Sequence, residues 1–139
     1  KLHIMWGVFM IGIFNSKSKI IKAELDPVLE KLGYPKLKRG DVDKGRIWIS
    51  EKNTGGLTQK ITIQEVYNIL NIDLRTNVYA AKMIRVDEKE GILRFTEKEG
   101  NGVSYKNINE FKNVIFRFKL LMEKDLVNEL EKLSMKQEK

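Results

Sequence analysis

His3 is the only histidine of the chain, and there is no cysteine. A serine-, cysteine- or histidine-based relay would have to run through that one imidazole, which sits within an apolar run and is badly placed to act as a base. Without thiols there is no disulfide framework, no thiolate nucleophile and no cysteine-held zinc or iron–sulfur centre. Carboxylates remain. Asp41 with Asp43, and Asp87 with Glu88, stand close enough in sequence to hold magnesium or share a proton. Both pairs lie in polar stretches where solvated turns account for them, and Gly40 and Gly45 form neither a GxGxxG nor a GxxxxGK[ST] pattern. The expectation is a non-catalytic protein without catalytic residues, cofactor or metal. A carboxylate-only, metal-dependent nuclease is the third reading.

Cations offer more. The chain carries a formal charge of +7 and a pI near 9.5, which favours an anionic partner. Residues 1–46 hold ten Lys/Arg against five Asp/Glu, leaving sixteen against fourteen over residues 47–139. A modest lysine surplus also serves solubility. Within the first third, Lys36, Lys38, Arg39, Lys44 and Arg46 fall in a connection rich in glycine and proline, with Tyr34 and Trp48 beside it as candidate stacking rings.

A second candidate lies in residues 62–86. Thr62 can cap a helix carrying Val66, Ile69 and Leu70; Asn71, Ile72 and Asp73 can break it; and a second helix can turn Val78 and Ala81 inward. That would be a helix-turn-helix with residues 87–97 as its wing, placing Arg75, Asn77, Tyr79 and Lys82 near the start of a recognition helix. Two features oppose it: residues 61–100 hold six Lys/Arg against seven Asp/Glu, and the wing is acidic. Nucleic acid, DNA or RNA, nevertheless leads as the expected ligand, because it uses both the charge and the candidate helix-turn-helix.

The runner-up is a membrane-proximal interaction or adaptor domain. Residues 2–14 are apolar apart from His3, and Lys17, Lys19 and Lys22 follow at once, a favourable order against anionic lipid. Thirteen residues fall short of the roughly 20 that a spanning helix needs, so membrane association is expected only if the apolar segment extends upstream of Lys1. No small-residue cleavage site follows the run. The absence of cysteine fits a reducing compartment, and the expected location is cytoplasmic.

The elements that must position these groups read as an α+β protein: a mainly antiparallel sheet of hairpins, a long C-terminal amphipathic helix, and one or two short helices, with residues 62–97 as a winged-helix-like middle in the nucleic-acid reading. Residues 2–14 are expected to form a buried strand, turned at 15–18 and paired with 19–23. Asp26 then caps a short helix that starts at Pro27 and ends at Gly33. Residues 46–50 and 57–63 form one hairpin across Gly55 and Gly56, and residues 83–96 form another. Phe111, Ile115, Phe118, Met122, Leu126, Leu130 and Leu133 recur every three or four residues, with Asn107 and Glu110 as a capping box. One domain over residues 1–133 and a frayed, charged tail at 134–139 complete the reading.

Overall fold

The computed structural model describes residues 2–42, 45–76, 83–97 and 101–138, and side chains between 17 and 133 within those ranges other than 41–42. Two long helices, α1 (Leu2–Lys31) and α2 (Ile108–Glu138), flank seven strands in sequence: β1 (Lys38–Val42), β2 (Gly45–Thr54), β3 (Leu57–Val66), β4 (Ile69–Thr76), β5 (Met83–Lys89), β6 (Ile92–Thr96) and β7 (Val103–Ser104). The strands form one antiparallel sheet in the order β1-β2-β3-β4-β5-β6, with β7 paired to β4. The α+β class, the antiparallel hairpins and the long C-terminal helix are as expected.

The hairpin geometry follows from local chemistry. Gly55 and Gly56 both take positive φ between β2 and β3, as a two-residue turn matched to strand twist requires. Along β3 and β4, Ile61, Ile63, Leu70, Ile72 and Leu74 are buried on one face, with Ile61 opposite Leu74 and Ile63 opposite Ile72. Trp48, Ile84 and Val86 extend that face across β2 and β5. Both helices cover it, and their buried residues complete a single core.

Three expectations are corrected. First, residues 2–14 and 19–23 are not a strand hairpin, because the backbone is helical throughout Leu2–Lys31. Ile21, Leu25, Val28 and Leu29, all buried, recur at helical spacing on both sides of Asp26, so the apolar stripe favours one continuous helix. Second, α1 is therefore 30 residues long rather than short. Asp26 caps nothing: its Oδ1 accepts the backbone N–H of Leu37 at 2.8 Å, holding the chain as it leaves the helix. Gly33 does end α1, with φ +87°, donating its N–H to the Glu30 carbonyl while Tyr34 N–H bonds the Leu29 carbonyl.

Third, the first helix and the break of the expected helix-turn-helix are sheet, while most of its second helix, Val78 and Ala81 included, lies outside the described residues. Residues 62–66 belong to β3 and 69–76 to β4, joined by Tyr67 and Asn68, and the supposed break at Asn71, Ile72 and Asp73 lies within β4. Val66 and Ile69 face each other across that turn, so their spacing of three arises from a hairpin instead of a helical face. The expected hairpin over 83–96 is present as β5 and β6, with Glu90 and Gly91 at its turn. Asn107 caps α2 by accepting the Glu110 N–H at 2.9 Å, and the Glu110 carboxylate reaches back to the Lys106 N–H at 2.6 Å.

Candidate functional site

The expected nucleic-acid residues divide between different surfaces. Lys36 is exposed just after α1, with Nζ 3.6 Å from Glu30. Lys38 and Arg39 lie on β1, an edge strand, opposite Ile49 and Trp48. These three cations do come together, around a groove of about 310 Å³ lined also by Pro35, Gly40, Ile49 and Glu51. Arg46 sits on the helix-covered face of β2, opposite Glu65, whereas Arg75 is exposed on the other face of the sheet with its Nε 3.2 Å from Met83 Sδ. Lys44, Asn77, Tyr79 and Lys82 lie outside the described residues.

Neither aromatic ring is available for stacking. Trp48 is fully buried, donating Nε1–H to Ser18 Oγ at 3.3 Å. Tyr34 is buried too, with its hydroxyl donating to Gln59 Oε1 at 2.9 Å; burial pushes that phenol above its ordinary range, with Glu131 adding to the effect. Among the acids, Asp87 pairs with Arg94 at 3.7 Å and Glu88 with Arg117 at 2.6 Å, and no metal-holding acidic or histidine cluster occurs among the described residues.

A buried polar knot that sequence reasoning missed fixes the geometry of α1. Glu65, at the end of β3, accepts a hydrogen bond from the Tyr105 hydroxyl, and Lys17 approaches both, 3.0 Å from Tyr105 Oη and 3.4 Å from Glu65 Oε2. The ammonium also lies 5.2 Å from the Tyr105 ring centroid and 5.7 Å from that of Phe111. Burial first, and then the bond to Glu65, hold the Tyr105 phenol far above its ordinary range. The only sequence signal was an acid on the buried face of an otherwise apolar strand alternation, legible once that strand is known.

These contacts set the direction of α1. Lys17 meets Tyr105 and Phe111 at the start of α2, and Glu24 meets Lys119 further along it at 3.5 Å, so the helices run parallel. Against the sheet, Lys17 stands beside Glu65 and Tyr34, just past α1, beside Gln59, so α1 runs opposite to β3. Continued from Lys17 toward Leu2, the helix leaves the start of α2 and the β3–β4 turn behind. Those fifteen residues extend about 22 Å at the α-helical rise. By sequence, residues 2–14 are apolar apart from His3 and present no polar face, a pattern that favours burial on every side.

Near the point of departure Tyr67, at the β3–β4 turn, and Ile108, at the start of α2, are exposed. No helix among the described residues is long and apolar enough to cross a membrane. Comparison with known proteins found no matching family, no matching curated protein and no matching solved structure.

Proposed function

We propose that this chain is a non-catalytic, membrane-proximal interaction domain in which residues 2–14 of α1 engage an anionic lipid surface. The observation that supports it best is the register of α1. Lys17 is locked at the start of α2, so the all-apolar part of the same helix is directed away from the two-layer core. An apolar helix without a core to enter must bury its surface in lipid or in another protein. Lys19 and Lys22, exposed one turn further on, favour anionic lipid. The contact proposed is that of residues 2–14 themselves, and it does not depend on the chain crossing the bilayer.

The test is co-sedimentation of the whole chain with phosphatidylcholine vesicles containing or lacking phosphatidylserine, alongside a Phe9→Glu/Ile11→Glu variant. Binding that is stronger on the anionic vesicles and lost in the variant, with the circular dichroism spectrum unchanged, is the expected result. A chain that stays in the supernatant with both vesicles overturns the reading.

A second reading keeps nucleic acid as the ligand, supported by Lys36, Lys38 and Arg39 around one groove at the β1 edge. It predicts DNA or RNA binding that weakens between about 50 and about 200 mM salt and is lost when all three become Ala.

A further inference from the structure

Lys17 fixes which end of the domain faces whatever residues 2–14 enter. Only Asn15 and Ser16 separate it from the apolar run, and its ammonium is held between Glu65, at the end of β3, and Tyr105, just before α2. Wherever that run meets lipid, the end of the domain built from the β3–β4 turn and the start of α2 is brought to it. The opposite end, with the β2–β3 turn at Gly55 and Gly56, is one strand length away, about 30 Å for the ten residues of β3.

The near end carries an aromatic side chain that the core does not use. Tyr67 is 73% exposed in the β3–β4 turn, with φ +51°. A residue with a Cβ enters this left-handed region at a cost that glycine avoids. The turn is pinned on both sides: Ile69 N–H bonds the Tyr67 carbonyl at 3.0 Å, and Tyr105 N–H bonds the Asn68 carbonyl at 3.1 Å. Tyr105 in turn bonds Glu65 and Lys17 through its hydroxyl, so the turn and α1 are tied to the same residue. The exposed ring is therefore held at a fixed place beside the point where α1 leaves the domain.

Tyrosine has an apolar body and a polar tip, the combination that settles at the level of lipid headgroups. Ile108 adds exposed apolar surface at the start of α2, while Lys19, two residues past Lys17, and Lys106, next to Tyr105, are exposed cations. Against them stands Glu110, whose carboxylate accepts the Lys106 N–H in the α2 cap. The acidic β5–β6 turn lies further back. Arg117, nine residues after Ile108 and so about 13 Å along α2, holds Glu88 at 2.6 Å and the Gly91 carbonyl at 2.7 Å.

We infer that the end of the domain formed by the β3–β4 turn and the start of α2 rests in the headgroup layer of an anionic membrane, with Tyr67 as its interfacial anchor. Lys19 and Lys106 meet phosphate and carboxylate groups there, and the β2–β3 turn stays in water. This inference rests on the lipid reading above and adds which end of the domain touches the surface.

With no native cysteine, single reporters can be placed at will. Asn68→Cys in the β3–β4 turn and Thr54→Cys beside the β2–β3 turn are labelled with an environment-sensitive fluorophore. Each is mixed with phosphatidylcholine/phosphatidylserine vesicles, with and without a lipid-borne quencher. The expected result is a blue-shifted, quenched signal at position 68 and an unchanged one at 54. In the unlabelled chain, Tyr67→Gly weakens vesicle binding by about fivefold, as for an aromatic ring partly withdrawn from water. Its urea midpoint does not fall, because glycine takes φ +51° without strain. Vesicle binding with the signal at 68 unchanged overturns the orientation and leaves the lipid reading standing; a shift at 54 instead of 68 does the same. A Tyr67→Gly chain that keeps the native affinity overturns the anchoring role. A shift at 68 that grows with protein concentration and needs no vesicles assigns this end to a second copy and overturns the inference. If the chain binds no vesicles at all, the lipid reading fails, and the inference fails with it.

Discussion

Replacing Lys17 by Met keeps the aliphatic stem over Tyr105 and Phe111 and removes the ammonium, leaving the Glu65 carboxylate buried with less compensation. Stability should fall by about 1–3 kcal/mol, the usual cost of stranding a buried hydrogen-bonding group, read as a lower urea midpoint. Asp73 behaves in the opposite sense. Burial raises its carboxyl above the ordinary range, against the lowering effects of Arg85 and Arg75, even though Arg85 Nε stands 3.4 Å away. A carboxyl raised in the folded state binds more protons there than when unfolded, so its effect on stability is most favourable below the unfolded value of 3.8. The effect is lost as pH rises through the folded value. Asp73→Asn removes that titration while keeping the shape. Urea unfolding across pH should show the native chain losing ground to the variant as pH climbs from below 3.8 to neutrality. A native chain that gains ground over that interval would mean that the arginines outweigh burial.

At the level of elements, what could be read from the sequence depended on whether a segment's own pattern decided its state. Gly55 with Gly56, and Gly91 at the end of a polar stretch, announced their hairpins because glycine accepts positive φ without strain, and α2 announced itself through a long apolar stripe and a cap. The turn of Tyr67 and Asn68 gave no such signal. Tyr67 takes φ +51° without being glycine, a conformation imposed by the pairing of β3 with β4, and helical spacing won by default. In α1 the apolar run of residues 2–14 has no period at all, so its helical state was set by the stripe that follows it. Of the candidate site, the β1-edge cations and the lysines after the apolar run were visible beforehand. The knot at Lys17 was not, since Lys17, Glu65 and Tyr105 are brought together only by tertiary structure. The stripe carries a testable energetic consequence: Leu29, fully buried, should cost about 2–5 kcal/mol when cut to Ala, measured by thermal or urea unfolding. A cost near that of an exposed leucine would mean that α1 is not held on the sheet.

For the whole molecule, the lipid and nucleic-acid readings separate by the range of the forces each employs. Binding through Lys36, Lys38 and Arg39 is charge against phosphate and weakens steeply as salt displaces the counterion gain. Binding through residues 2–14 combines attraction by the lysines that follow with burial of apolar surface, which salt does not screen. Raising salt from about 0.1 M to about 1 M shortens the screening length from about 10 Å to about 3 Å. On phosphatidylserine vesicles, affinity should therefore fall toward the level on neutral phosphatidylcholine vesicles and stop there, while binding to any nucleic acid should be abolished. Lys19→Gln should lower the low-salt affinity for anionic vesicles by about fivefold, at about 1 kcal/mol per lysine near the surface, and leave the high-salt plateau unchanged. Flotation assays at both salt concentrations measure both quantities. A plateau of zero would assign the interaction to charge alone and remove the role given to the apolar half of α1; a plateau that the lysine variant also lowers would show that Lys19 acts through the fold and not through its charge.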